Sequence, residues 1–317
     1  MGLLRRVRRG NRAGQVPGAS RRGDEAAARP VSVMRLFLLT ALTMTAFAAN
    51  SVLNRAAVGA GHIGAVEFAV VRLVAGAAML GALILLRRAR SGQAVWPGWR
   101  GRLEGAAALL TYLFGFSLAY GALDAGTGAL ILFGMVQITM FAGALVSREA
   151  VPARRWAGAG MAFAGLAYLL APGSGAAEHP LHAALMAAAG AGWGVYSLSA
   201  RGTRDPLGAT AWNVLLAVPA GALALALLPG AAASASTAGL LLAAVSGALT
   251  SGLGYALWYA ILPGLGAARG GVAQLTVPVI ALAGGMAFLG EALTLRFLVA
   301  SVLVLGGVAF ATLPRRA

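Results

Sequence analysis

Cysteine and lysine are both absent from this chain of 317 residues, and only nine residues are acidic. Without cysteine there can be no disulfide, no thiolate metal site and no cysteine nucleophile. Without lysine, all 25 basic residues are arginine, a side chain that stays charged wherever it is placed. Charge is scarce: 11% of residues are charged against 59% hydrophobic, and the mean hydropathy is +0.80. A soluble domain could not bury that much apolar surface, so the bilayer is the solvent this composition implies. His62, His179 and His182 all fall at the ends of apolar stretches. The sequence contains no HExxH, no GxSxG, no pair of aspartates within an apolar stretch and no Walker A loop. Hydrolysis in the membrane, metal catalysis and nucleotide-driven work therefore lack residues to carry them, and no cofactor or metal is expected.

What the chain does have is ten apolar stretches, at 36–58, 63–86, 105–123, 127–146, 156–170, 181–198, 209–228, 240–262, 270–289 and 297–313. Most are long enough to cross a hydrocarbon core of ~30 Å at ~1.5 Å per residue. The expectation is an all-α integral membrane protein of ten transmembrane helices. Residues 1–33 form an Arg-rich stretch without an apolar run, expected to be a disordered cytoplasmic tail. The net charge of +16 would suggest nucleic acid in a soluble protein. Here the arginines instead gather in the tail and in alternate connections: 87–102, 148–155, 201–204, Arg269 and 315–316. That distribution predicts both termini in the cytoplasm of a cell-membrane protein and no nucleic-acid partner. Arg55 and Arg296 are exceptions, falling on the outer side.

The second five stretches repeat the first five. In one gapless alignment Glu149 falls on Glu291, Arg154 on Arg296, Gly165 on Gly307, Ala167 on Ala309 and Pro172 on Pro314. In others Tyr120 falls on Tyr259, and Phe47, Ser51 and Arg55 on Trp193, Ser197 and Arg201. The repeats are predicted at 34–172 and 181–314. Each holds five helices, an odd number, so the second enters the membrane upside down relative to the first. Two like halves of opposite orientation can give access alternately from each side.

Charge within a stretch is the first place to look for a site, and the second stretch carries both Glu67 and Arg72. Arginine at mid-membrane costs about 2.5 to 3.5 kcal/mol on insertion scales, so Arg72 needs a partner or a wet cavity. Five residues apart on a helix, Arg72 and Glu67 diverge by about 140° and cannot neutralise each other well. Arg72 is expected to face another helix or a substrate anion. Glu67, the one carboxylate within a stretch, is the proton-coupling candidate. Polar and aromatic residues expected at mid-depth are Asn50, Asn54, Tyr120, Gln137, Trp193, Tyr196, Trp258, Tyr259 and Gln274. Unsatisfied amides in lipid are costly, so these should face the interior, either as glue between helices or as a cavity lining. Pro278 should kink the ninth helix and free the carbonyl of Gln274. Trp96, Trp99 and Trp156 suit an interfacial belt, and Glu149 and Glu291 suit the N-termini of the fifth and tenth helices.

Phe47-Ala-Ala-Asn-Ser-Val-Leu-Asn-Arg55, Gly128-Ala-Leu-Ile-Leu-Phe-Gly134 with Gln137, and Gly192-Trp-Gly-Val-Tyr-Ser-Leu198 resemble motifs of EamA-type permeases of the drug/metabolite transporter superfamily. Ser251-Gly-Leu-Gly-Tyr-Ala-Leu-Trp-Tyr259, Gln274-Leu-Thr-Val-Pro-Val-Ile280 and Leu289-Gly-Glu291 extend the likeness over the chain after Arg35. The resemblance implies two inverted five-helix repeats, a central cavity from helices one to four and six to nine, and export of small metabolites such as amino acids. It also implies that Gly158, Gly160, Gly165, Gly306 and Gly307 serve close helix packing or a homodimer. A passive channel or a non-transporting membrane protein shares the hydropathy pattern and is the alternative.

Overall fold

The computed structural model describes residues 33–92, 98–148, 151–173, 178–199, 203–228 and 235–312. Among the described residues the elements are all helical. They are α1 (Val33–Asn54), running into a π turn (Arg55–Gly59), then α2 (Ala65–Ser91), α3 (Arg102–Ala119), α4 (Ala125–Val146), α5 (Ala153–Leu169), α6 (Pro180–Ser199) and α7 (Pro206–Leu227). There follow α8 (Thr237–Val245), a π segment (Ser246–Leu253), α9 (Gly254–Leu265), α10 (Ala267–Gln274), α11 (Thr276–Leu289) and α12 (Leu295–Thr312). Among the described residues six helical spans are long and apolar enough to cross a membrane, the longest being Thr237–Leu265, which runs from α8 through the π segment into α9. Residues 1–32 of the expected tail, together with Trp96, Glu149, Arg201 and Pro314, lie outside the described residues, and Val33 already opens α1.

Large apolar side chains stand on the outside of the bundle, among them Phe37, Leu42, Phe163, Leu223, Phe288 and Val302. In water that surface would be a liability; in lipid it is the solvated face. Some hydroxyls within the spans are satisfied locally, as when Thr43 and Thr139 donate to the carbonyls of Leu39 (2.7 Å) and Met135 (2.8 Å) one turn back.

Helix ends carry local signals. Asp205 caps α7 by accepting from the Gly208 N–H at 3.0 Å, with Pro206 next in the chain. Ser236 caps α8 through the Gly239 N–H at 3.1 Å, and Thr294 caps α12 through the Phe297 N–H at 3.1 Å. Glu291 corrects the sequence expectation. Its carboxylate reaches not the tenth helix but α4, where Oε1 accepts the Ala125 N–H at 2.8 Å. Asp124 holds the N-cap position of α4 yet makes no side-chain cap bond.

The two arginines that broke the charge pattern both bind backbone carbonyls. Arg55 donates to Tyr120 (3.3 Å) and Gly121 (3.5 Å) at the end of α3, and lies 3.7 Å from Asp124 and 3.8 Å from Glu291. Arg296 donates to Ala171 (2.9 Å) and Pro172 (3.2 Å) just past α5. At the other end of the bundle, Arg87 near the end of α2 forms a bidentate pair with Asp205, at 2.8 and 2.5 Å.

α5 and α12 pack along each other. Arg296, at the start of α12, stacks on Tyr168 near the end of α5 (5.4 Å), and Arg154, at the start of α5, stacks on Phe310 near the end of α12 (5.0 Å). The pair is therefore antiparallel. Close approach depends on glycine: a Cβ at Gly307 would lie 2.8 Å from Met161 Cβ and 3.0 Å from Ala162 N, while one at Gly165 would lie 2.8 Å from Leu303 Cβ and 3.0 Å from Val304 N. Gly158 also lies in this contact, whereas Gly160 and Gly306 face open space. Overpacking such a seam costs about 1–3 kcal/mol. Gly307→Ala should lower stability in detergent by that amount, read from thermal unfolding. Gly160→Ala should be neutral to within about 0.5 kcal/mol.

The Arg87–Asp205 pair sets an acid dependence. Hydrogen bonding from Arg87 holds the Asp205 carboxyl below the ordinary carboxylate range. Its stabilisation is present above the unfolded pKa and is lost as pH falls through the depressed folded value. Both side chains are about a third exposed, so the contribution is at most about 1 kcal/mol. The unfolding curves of wild type and Asp205→Asn should differ near neutral pH and converge in acid.

Candidate functional site

Arg72 is 1% exposed. Its Nε donates to Ser251 Oγ at 3.1 Å and its Nη2 to the Tyr112 hydroxyl at 2.9 Å, while Nη1 is buried with no hydrogen-bond partner. The guanidinium also lies 4.9 Å from the Phe116 ring centre and 5.3 Å from that of Tyr112, close enough for cation–π attraction. Among the described residues, no carboxylate pairs with Arg72. A buried cation is thus held by neutral groups only.

Two features of the backbone place Ser251 against it. The first is a seam of glycines. A Cβ at Gly76 would stand 3.3 Å from the Gly247 carbonyl oxygen, one at Gly252 would stand 2.9 Å from Met79, and Gly247 lies directly on the Arg72 carbonyl. The second is the π segment. In an α-helix Ser246 and Ser251, five residues apart, would diverge by about 140°. The wider i→i+5 turn of a π-helix brings them toward one face. Ser246 (2.8 Å), Thr250 (2.6 Å) and Ser251 (3.3 Å) all lie within hydrogen-bond distance of Asn50 Oδ1 on α1. Asn50, Ser251, Arg72 and Tyr112 therefore form one buried network across α1, the π segment, α2 and α3.

Two cavities meet at this network, with Tyr255 bordering both. One, of about 20 Å³, is lined by polar Asn50, Ser51 and Gln274 and by a wall of rings that includes Phe47, Tyr112, Phe116 and Trp193. Trp193 stacks on Tyr255 at 5.4 Å and leans on Tyr112 at 5.1 Å. The second, also of about 20 Å³, is mainly aliphatic, with Arg72 and Ser251 among its walls. Each has room for about one water molecule in this conformation, with a polar edge and an apolar wall side by side.

Of the residues named from sequence, Asn50, Arg72, Trp193 and Gln274 line these cavities. Others sit elsewhere. Tyr120 is not at mid-depth: it is the C-cap of α3, and its hydroxyl donates to the Ala125 carbonyl at 3.2 Å. Tyr196 and Tyr259 join Thr210 in a separate hydroxyl cluster, at 2.5 and 3.1 Å. Trp258 packs edge-on to Phe47, and Gln137 is half-buried on α4 away from both cavities. Asn54 donates to Ser117 at 2.9 Å. Glu67 lies in the first turn of α2 with one carboxylate oxygen buried and without a hydrogen-bond partner. The helix breaks at Leu275, between Gln274 and Pro278. Trp99 and Trp156 are exposed, as a belt requires.

Sequence reasoning missed Tyr112, Phe116, Ser251 and Tyr255. Spacing did not set two of them apart: Ser251, Tyr255 and Trp258 stand at i, i+4 and i+7 of one motif, a single helical face, so counting could not separate the cavity-lining residues from Trp258.

These features define a multi-pass helical membrane protein with a buried polar and aromatic chamber. The model of the EamA-like transporter family matches residues 181–313. An uncharacterized protein of Pseudomonas aeruginosa, PA1977, is 47% identical over 282 residues, which is 89% of this chain and 96% of that protein. A solved crystal structure superimposes with a TM-score of 0.62 at 20% identity, over 88% of this chain and 97% of that one, a likeness of fold. The chain belongs to the EamA-like transporter family, within the drug/metabolite transporter superfamily.

If Ser251 couples Arg72 to the network, Ser251→Ala should cost about 1–3 kcal/mol by stranding charged and amide groups. A double-mutant cycle with Arg72→Met should give a coupling of about 1 kcal/mol in thermal unfolding. Additive losses would separate the two side chains.

Proposed function

We propose that the protein is a carrier in the cytoplasmic membrane that exports a small amphipathic metabolite, an amino acid or related compound, by alternating access. Arg72 would bind the anionic group of the substrate, with Asn50 and Gln274 on its polar edge and Trp193 and the neighbouring rings around its apolar part. The observation that carries this reading is a buried guanidinium with an unpartnered N–H and no carboxylate, on the wall of a cavity. An anion entering there gains a charge-assisted hydrogen bond in a low-dielectric site.

The mechanism rests on ten membrane-crossing helices in two inverted repeats. Among the described residues, counting α1 with its π turn, α8 with the π segment and α9, and α10 with α11 as single rods gives that number. The antiparallel α5–α12 seam supports the inversion. Tyr168 and Phe310, like Arg154 and Arg296, are partners in the repeat alignment, as are Met161 with Leu303 and Ala162 with Val304, and their contacts exchange in the same way. Both termini would lie in the cytoplasm. The seam engages Gly158, Gly165 and Gly307 within one chain; a homodimer, if formed, would use other surface.

Arg72→Ala should abolish export while leaving membrane insertion intact, measured as metabolite appearing outside overexpressing cells against a knockout. Flux equal to wild type would remove Arg72 from the site. In proteoliposomes, accumulation against a gradient that collapses when the proton gradient is dissipated would separate a coupled carrier from a passive channel.

A further inference from the structure

The carboxylate of Glu291 joins the two halves of the chain. It belongs to the connection between α11 and α12, yet it caps α4 of the first half through Ala125 and faces Arg55 at the end of α1. Its side chain is 6% exposed, and Oε2 is buried without a hydrogen-bond partner. Arg55 is the cation that faces it, at 3.8 Å, beyond hydrogen-bonding range, and is shared with Asp124 at 3.7 Å. Tyr120 stands nearby but spends its hydroxyl proton on the Ala125 carbonyl. Arg296, on the next helix, is turned onto the end of α5. From α11 the neighbour is Gly285, whose missing side chain makes room for Oε2 and whose carbonyl accepts the Glu291 N–H at 3.2 Å. One arginine thus serves two carboxylates, and the more buried of them is incompletely satisfied.

We propose that Glu291 is the proton-binding site of a gate at the Arg55 end of the chamber: carrying a proton, it latches the α11–α12 connection to α4, and ionised, it releases them. This deepens the carrier reading and rests on it. The latch lies one helical turn from Ser51, which lines the ring-walled cavity from the same helix as Arg55. Burial, aided by the charge of Asp124 and opposed by the Ala125 and Gly126 N–H groups and by Arg55, pushes the Glu291 carboxyl up from its ordinary value. The sign follows from linkage: a carboxyl that binds its proton more tightly when latched than when hydrated favours the latched state in acid. Raising the pH through the folded value then places a poorly compensated charge in the junction and favours opening.

Because the chain has no cysteine, accessibility can be read without a background. Ser51→Cys is labelled in intact cells with a membrane-impermeant thiol reagent. Its rate is taken relative to Ala60→Cys, an exposed position just past Arg55, which cancels the pH dependence of the thiol itself. The ratio should rise roughly fivefold between about pH 5.5 and about pH 7.5. Adding Glu291→Gln, which keeps an acceptor for Ala125 without the charge, should hold the ratio low at every pH. Adding Glu291→Ala, which loses that acceptor, should hold it high. A flat wild-type ratio, or a rise that persists with Glu291→Gln, would overturn the proposal. A normal ratio profile in a protein that moves no metabolite would refute the carrier reading and leave the latch standing.

Discussion

A guanidinium buried in an apolar helix bundle must be held by something, and in this protein Arg72 is held without a countercharge. Hydrogen bonds from Nε and Nη2, and two ring faces, offset part of the desolvation cost, which remains several kcal/mol for an ion taken out of water. Every other feature of the centre follows from supplying those neutral partners. Ser251 can reach Nε because Gly76, Gly247 and Gly252 let the backbones of α2 and the π segment approach to near contact. Tyr112 can reach Nη2 because α3 lies beside α2. Asn50 then orients the hydroxyls of the π segment, so that α1 is drawn into the same network.

The uneven legibility of this site in the sequence has a physical cause. Arg72 could be found because a charge in an apolar run is expensive and hence conspicuous. Serine, threonine and tyrosine are cheap in the same setting, since a hydroxyl can fall back on the carbonyl one turn earlier, as Thr43, Thr111 and Thr139 do. Their presence carries little information until the register of the helix is known. That register is broken here by a π segment, which no spacing rule for α-helices anticipates, and Ser251 falls on the face of Asn50 only because of it. The same limit explains Tyr120, Tyr196 and Tyr259. Depth along an apolar stretch can be estimated by counting, but which neighbour a ring meets cannot.

Contacts between sequence-distant helices divide in the same way. The glycines of the α5–α12 seam are marked in the sequence for close packing or a homodimer, without α12 being named as the partner of α5, and Gly158, Gly165 and Gly307 lie in that seam. The reach of Glu291 is not marked at all. Its place just ahead of the tenth helix suggested the nearest N-terminus, and the dipole argument would hold equally for any N-terminus within reach. The structure gives it to α4, because Thr294 already caps α12 while Asp124 leaves α4 uncapped. Capping sites are filled by whichever side chain arrives, including one from the other half of the molecule.

On the carrier reading, the periphery and the centre obey opposite rules. At α5 and α12 each residue meets the repeat partner of the residue that meets its own partner, so that neither of two tilted arrangements is favoured by the frame. At the centre this equivalence fails. Phe47 and Trp193 are repeat partners and both pack on Tyr255, at 6.0 and 5.4 Å. Arg72 has no cationic counterpart on α7, whose buried polar residues are Thr210 and Asn213. A balanced frame keeps the energy difference between two access states small, of a size that one bound anion can shift. A single unbalanced charge then gives the anion something to bind differently in the two states. Symmetry in the frame and its absence in the chamber are in that sense complementary requirements: the first makes the exchange inexpensive, and the second makes it depend on what is bound.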